Sequence, residues 1–328
     1  MIITRTPFRL PLGGGGTDLP SYYERFGGAL LTSTINKYMH INVNPLIIEK
    51  NVILKYSKTE IVNHSDKLAH ELAREALKLT KIFDSIEISS MADIPARTGM
   101  GSSGSYLVGL LKALHTLKGE VIAPAELAEE ACHIEIYNLK KPVGKQDQYA
   151  AAFGGIISME INKKGQVKIE RISLPAEFIK DLENDLLIFY TKFTRESSKI
   201  LDEQKKATTK NDKGVIKSLH EINEIGLEIK KAVKRGDIYA LGQLFDAHWQ
   251  VKKKRPGGIS NPKIDYWYDL AKDNGALGGK IMGAGGGGFL LFCCPWNQKG
   301  LRETMKKEGL EELDWRFDFE GSRILAHF

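Results

Sequence analysis

Three glycine-dense stretches and a handful of acidic and hydroxyl side chains carry the chemistry open to this 328-residue sequence. The sharpest local signal runs from Pro95 through Arg97, Thr98, Gly99, Met100, Gly101, Ser102, Ser103 and Gly104, between an expected strand and an expected helix. Glycine lets a backbone turn tightly and approach phosphate oxygens, and the free N–H groups and dipole of a helix start favour an anion there. The hydroxyls of Ser102 and Ser103, in the first turn, could ligate a Mg²⁺ that bridges phosphates. A nucleoside triphosphate site is the natural reading, and a glycine turn whose serines only cap the helix is the plain alternative. Gly99, Gly101 and Gly104 also spell the GxGxxG dinucleotide fingerprint. That fingerprint opens a βαβ unit, whereas this one lies deep in the chain and Glu120, at the distance expected of its acidic partner, ends no convincing strand. The P-loop pattern GxxxxGK[ST] is absent.

The second stretch ends its glycines with Gly15 and Gly16, followed by Thr17 and Asp18. A carboxylate there suits paired sugar hydroxyls as an acceptor, or it caps the next helix. The third, containing Gly283, Ala284, Gly285 and Gly286, holds four consecutive glycines where a hairpin turn needs one or two. Since each glycine adds entropic cost, close approach of backbone to a ligand is the expected compensation.

Two further carboxylates stand out. Apolar periodicity predicts a helix over 124–139, in which Leu127, Ala128, Ala131, Cys132 and Ile134 share one arc and Glu126, Glu129 and Glu130 lie opposite. Glu135 falls inside the apolar arc, where it must bind a metal or pair with a cation, because desolvating a lone carboxylate costs several kcal/mol. Mg²⁺ shared with a loop serine and an ion pair with a lysine are both open. Asp147, between Gln146 and Gln148 and close to Lys145, could accept a hydroxyl proton during phosphoryl transfer, or cap the helix that follows.

These groups need a scaffold, and the length suits two domains of roughly 150 residues each. Strands are expected at 34–43, 52–56, 85–90, 155–161 and 166–172, with helices at 65–79, 102–117 and 124–139, in a first lobe over 1–180. A second lobe, 181–328, should hold a strand at 186–190, helices through 197–235, 238–252 and 264–274, a strand–glycine turn–strand unit at 280–294 and a closing strand at 323–328. Hydrophobic residues at 42% and charged residues at 27% fit a folded globular chain. Apolar runs such as 289–294 fall far short of the roughly 20 residues that span a bilayer, and the start of the chain carries no signal-peptide pattern, so no membrane partner and a cytoplasmic location are expected. Cys132, Cys293 and Cys294 form neither a CxxC pair nor an even disulfide framework. The net charge of +6 is mostly lysine spread among glutamates, and only Lys252, Lys253, Lys254 and Arg255 make a dense run. Without interleaved aromatics this points away from nucleic acid and toward an anionic small molecule.

In this order the three glycine stretches resemble the motifs of the GHMP kinases, the superfamily of galactokinase, homoserine kinase, mevalonate kinase and phosphomevalonate kinase. The resemblance spans nearly the whole chain. It implies an α+β fold of two lobes: an N-terminal mixed-sheet lobe with a left-handed βαβ crossover and a C-terminal ferredoxin-like lobe, with ATP between them. It implies that Asp147 matches the catalytic aspartate, Arg9 the basic residue near the reacting centre, Glu135 and Ser103 the Mg²⁺ ligands, and Asp18 the sugar-binding aspartate. Met100 replaces the usual leucine and Gly104 the usual alanine, neither of which is a ligating group. The stretches 14–20, 144–149 and 259–262 look most like the branch of the superfamily that phosphorylates the anomeric hydroxyl of a heptose 7-phosphate. A fucose or galactose 1-kinase, and a nucleotide- and sugar-binding regulator without turnover, are the alternatives. An acceptor phosphate needs cationic partners, for which Arg195, with Lys253 or Lys280, is expected. A homodimer is left open.

Overall fold

Alternating and doubly buried apolar runs lay down two sheets. The computed structural model describes residues 1–193, 197–255 and 257–328. The first sheet is built by β1 (Ile2–Gly13), β2 (Gly28–Pro45), β3 (Val52–Lys55), β4 (Thr59–Val62), β5 (Ile86–Ala92), β6 (Ile156–Ile161) and β7 (Val167–Arg171). The second is built by β8 (Leu186–Tyr190), β9 (Gly278–Ile281), β10 (Phe289–Cys293) and β11 (Glu311–Glu312), after which β12 (Arg323–His327) returns to the first sheet and pairs with β1. Helices α1 (Pro20–Phe26), α2 (Glu71–Thr80), α3 (Ser102–Leu117), α4 (Pro124–Cys132), α5 (Gln146–Phe153), α6 (Ala176–Asp185), α7 (Ser197–Thr209), α8 (Lys213–Arg235), α9 (Ile238–Lys252), α10 (Pro262–Asp273) and α11 (Gln298–Lys307) connect them.

The first sheet runs β12-β1-β2-β5-β3-β4, with β6 and β7 joined through β2. Its β3 and β5 are parallel and α2 lies in the connection between them, while the other pairs are antiparallel. The second sheet has the order β11-β8-β10-β9, all antiparallel, which is the connectivity of a ferredoxin-like lobe. Together they are the expected two-lobed α+β fold.

β1 is buried continuously from Thr6 to Gly13. Its two prolines cannot donate to the ladder, and both stand where the register with β2 shifts, at Pro7/Phe8 and Pro11/Gly13. α3 packs on this strand, and Gly109 permits the contact: a Cβ there would lie 2.7 Å from Thr6 Oγ1. Leu107, Leu110, Leu111 and Leu114 of α3 are fully buried, so the helix that follows the Gly99–Gly104 loop is fixed along its length.

Two expected helices differ. The one expected over 65–79 begins at Glu71, where the His70 ring accepts from Ala73 N at 3.3 Å, and only a 3-10 turn occupies Ser65–Lys67. The one expected over 124–139 is α-helical to Cys132 and continues as a π-helix, His133–Asn138. Helices α6 and α11 have no counterpart among the expected elements, and β1 is a long strand outside the expected ranges.

Candidate active site

All three glycine stretches open into one cleft of about 780 Å³, a volume suited to small molecules. Gly15, Gly16 and Asp18 line it, as do Arg97, Gly99, Gly101, Ser102 and Ser103, together with Lys280, Gly283 and Ala284. Thr17, Thr98, Met100 and Gly104 do not line it, and neither do Glu135, Gly285 and Gly286. Thr98 is buried with its hydroxyl on Pro95 O, the Met100 carbonyl receives Arg9 N, and Gly104 packs on the Asp147 backbone. Thr17 is also buried, and its hydroxyl donates to Gly14 O at 2.8 Å, which holds the first glycine turn shut.

The glycine density of the third stretch also serves packing within the protein. A Cβ on Gly99 would sit 2.8 Å from Met282 O, one on Gly283 2.8 Å from Gly99 Cα, and one on Gly288 2.1 Å from Thr98 O. Gly285 is pressed equally close to Ile259, whose carbonyl receives Gly286 N at 2.7 Å. These glycines let the C-terminal lobe dock backbone to backbone on the loop at Thr98 and Gly99, and only Gly283 and Ala284 of the four expected residues face the cleft.

The phosphate loop enters α3 through Gly101, whose φ of 80° is left-handed, with Gly99 alike at 81°. Neither serine caps the helix with its side chain, so the capping alternative fails, and Ser103 instead turns to Glu135. Gly101 and Gly104 are held to glycine by a neighbour: added Cβ atoms would lie 2.9 Å from Arg9 Cγ and 2.8 Å from Asp147 Cβ.

Asp147 lies in the first turn of α5, but Lys145 is the residue at the N-cap. The carboxylate instead meets Arg9 from the middle of β1, Nε donating to Oδ1 at 2.7 Å, and Arg9 also donates to the Gly99 carbonyl. Arg9 is buried while Asp147 keeps 28% of its side chain exposed to the cleft. Lys145, beside Asp147 in sequence, is directed away to Glu129 at 2.7 Å.

Asp18 likewise is no helix cap, since α1 begins after Leu19. Its oxygens accept from Gly16 N at 3.2 Å and from Gln146 N at 3.0 Å, which ties the second stretch to the start of α5. Burial pushes its carboxyl upward from the usual range, and the charge of Asp147 adds to this. Gly144 fits against it so tightly that a Cβ there would lie 2.0 Å from Asp18 Oδ2.

Glu135 sits on the π-helical turn, a backbone form often found at functional sites. It is 1% exposed, and burial raises its carboxyl, opposed by hydrogen bonding to Ser103 and Gln148. Gln148 Nε2 donates to Oε2, whereas Oε1 is buried without a partner of hydrogen-bonding geometry. No lysine pairs with it, and among the described residues no cluster of three or more His, Cys, Asp or Glu could cage a metal. One orphaned carboxylate oxygen beside a serine hydroxyl does fit a Mg²⁺ whose other ligands are phosphate oxygens and water.

Of the cations expected near an acceptor phosphate, Lys280 is buried on the cleft wall, donating to Leu12 O. Lys253 is half-buried outside the cleft and its neighbour Lys252 lines it instead, while Arg195 lies outside the described residues. Sequence reasoning missed Lys252, Arg255 and His248 on this wall. It also missed the Tyr56, His70, Met91 and Ile94 end of the cleft, where residues from separate strands and helices converge without a shared motif.

Fold and site define a class, and comparison with known proteins places the chain within it. Residues 63–155 match the GHMP kinases N terminal domain and residues 229–308 the GHMP kinases C terminal region. The chain is 32% identical to the D-glycero-alpha-D-manno-heptose 7-phosphate kinase of Campylobacter jejuni subsp. jejuni, over 98% of this chain and 97% of that protein. It is 28% identical to a galactokinase of Pyrococcus furiosus, over 68% of this chain and 69% of that one. In fold it resembles a D-glycero-D-manno-heptose 1-phosphate kinase from Bacteriodes thetaiotaomicron, with a TM-score of 0.81 over the full length of both chains at 22% identity. The chain belongs to the GHMP kinase family. It is a phosphotransferase with an alcohol group as acceptor, a sugar kinase of that family, whose members take ATP as phosphate donor. No helix among the described residues is long and apolar enough to cross a membrane.

Proposed function

We propose that this kinase transfers the γ-phosphate of ATP to the anomeric C1 hydroxyl of D-glycero-D-manno-heptose 7-phosphate, giving the 1,7-bisphosphate and ADP, in the cytoplasm. The observation that carries the chemistry is the Arg9–Asp147 pair, set in one cleft with Ser103, whose side chain meets the buried Glu135. The likeness to the Campylobacter jejuni protein along almost the whole chain supports the acceptor. The division into lobes at 1–180 and 181–328 belongs to the same reading, with β12 returning to the first.

The loop from Arg97 to Ser103 and the start of α3 hold the triphosphate, because the first N–H groups of a helix lack internal partners. Glu135 and Ser103 would hold Mg²⁺, which when bound neutralises charge on the phosphates. Arg9 fixes one oxygen of Asp147, and among the described residues nothing bonds the other, which is left to orient the acceptor hydroxyl and take its proton. Asp18, oriented by two backbone amides, accepts from the sugar hydroxyls.

Gly144→Ala tests the Asp18 role. The new methyl must displace that carboxylate, and a shift of about 1 Å in a positioning group can cost on the order of 10²-fold. The expected result is a large rise in KM for the acceptor with KM for ATP little changed, read from steady-state kinetics. The acceptor itself is tested by ADP-coupled turnover on free and phosphorylated heptoses, fucose and galactose, followed by NMR of the product. Highest kcat/KM on a neutral hexose, or phosphate on another carbon, overturns the assignment, and no ADP with any sugar supports the regulator.

A further inference from the structure

The chemistry above leaves a store of positive charge in the cleft unexplained. Lys252, Arg255 and His248 all line the cleft and are at most 7% exposed. They stand at i, i+4 and i+7 along the end of α9 and just beyond it, so they share one face. None is in an ion pair among the described residues. Arg255 Nε donates to Ser218 Oγ at 2.8 Å and Nη1 to Gln204 Oε1 at 3.3 Å, but Nη2 has no partner. Both ring nitrogens of His248 are also without one. Lys252 donates only to carbonyls, Ile281 O at 3.1 Å and Gly283 O at 2.6 Å.

Buried charge without a counter-charge is costly, and a fold that keeps it has a reason to. Burial and the neighbouring Arg255 and Arg9 bring the Lys252 ammonium down to about 7, and burial brings Arg255 to about 10. Burial and three nearby cations hold His248 well below its usual range. An anion entering here relieves all three groups at once.

Location says which anion. Gln204 Nε2 donates to Gly16 O at 3.4 Å, and a Cβ on Gly16 would lie 2.9 Å from that nitrogen and 3.2 Å from Arg255 Nη1. Arg255 is thus anchored between α7 and α8, against the glycine stretch that carries Asp18, on the acceptor side of the cleft. Arg9, which acts electrostatically on Lys252, links the cluster to Asp147.

We propose that Arg255, Lys252 and His248, with the Gln204 amide beside them, form a subsite for a phosphate monoester that the acceptor carries at a position other than the hydroxyl that reacts. The assignment of that phosphate to the acceptor rests on the heptose phosphate reading above. It makes these residues the determinants that separate phosphorylated from free sugar.

The test uses the full chain as wild type, Arg255→Gln, Lys252→Met and Arg255→Lys, with thermal melts to confirm folding. Removing one partner of a buried charge contact typically costs enough for a change on the order of 100-fold. Arg255→Gln and Lys252→Met are each expected to raise KM for heptose 7-phosphate by that order and to lower its kcat/KM relative to free heptose, while KM for ATP stays within about twofold. Arg255→Lys should recover part of the loss. Inorganic phosphate should inhibit wild type competitively against the acceptor, and Arg255→Gln should abolish this. Unchanged acceptor KM in folded variants, or a loss shared equally by ATP, overturns the subsite while leaving the heptose reading intact. If a neutral sugar proves the better acceptor, the heptose phosphate reading falls; phosphate inhibition lost in Arg255→Gln would still uphold the anion subsite, and its absence from wild type would remove both.

Discussion

Asp147→Asn is expected to lower kcat on the order of 10³-fold while ATP binds as before, since a positioned general base contributes about 10²–10⁴-fold. The substitution keeps the shape, and the amide oxygen can still accept from Arg9 Nε, so the pair's geometry at 2.7 Å survives. What is lost is the negative charge and the proton acceptor. Arg9, buried on β1, then has no counter-charge and the fold should weaken slightly. The measurements are single-turnover rate with saturating acceptor and calorimetric titration of ATP. A rate near that of wild type removes Asp147 from the chemistry; a parallel loss of ATP binding makes it a structural prop for Gly101 and Gly104, whose backbones it touches.

Much of this architecture was written in periodicity. The helix at α3 and the strand pairs β6–β7 and β9–β10 stand where apolar spacing puts them, because their apolar side chains are buried almost throughout. Glu135 was found on an α-helical arc although its own turn is π-helical. The nine α-helical residues Pro124–Cys132 set the phase, and the change of winding at His133 comes too late to carry Glu135 off the buried face. What stayed hidden depends on contacts distant in sequence. Whether Asp18 caps a helix or bonds the start of α5 rests on Gln146, 128 positions away, and no local pattern reports that. The third glycine stretch was read as approaching a ligand, whereas most of its glycines meet the backbones of Thr98, Phe193 and Ile259. Among the four cations from Lys252 to Arg255 there was a usable signal: the apolar phase of α9 buries Phe245 and Trp249, and extending it selects Lys252 over Lys253.

Glu135 should separate stability from activity. Its carboxyl is raised by burial, so the unfolded chain releases this proton near the usual value of 4.5 while the folded chain holds it to higher pH. Between those two values the folded state binds more protons than the unfolded one, and stability must fall as pH rises; above the folded value the cost is fully present. Glu135→Gln removes it. The variant's carbonyl can keep the bond from Gln148 Nε2, and its new N–H₂ lies in the neighbourhood of Gln148 Oε1, which has no partner in the wild type. At neutral pH the ligand-free variant is therefore expected to be more stable by about 1–2 kcal/mol, the scale of relieving an unsatisfied buried polar group. Catalysis should move the other way. With one anionic ligand gone, the Mg²⁺ concentration giving half-maximal rate should rise, and kcat should fall on the order of 10²-fold, within the range seen when an electrostatic stabiliser is deleted. Urea titrations across pH 4–8 and a Mg²⁺ titration of turnover read the two effects separately. A less stable variant with unaltered Mg²⁺ dependence would show that the carboxylate serves the fold alone, whereas a stability gain bought at the expense of metal binding is what a ligand held ready in an apolar pocket requires.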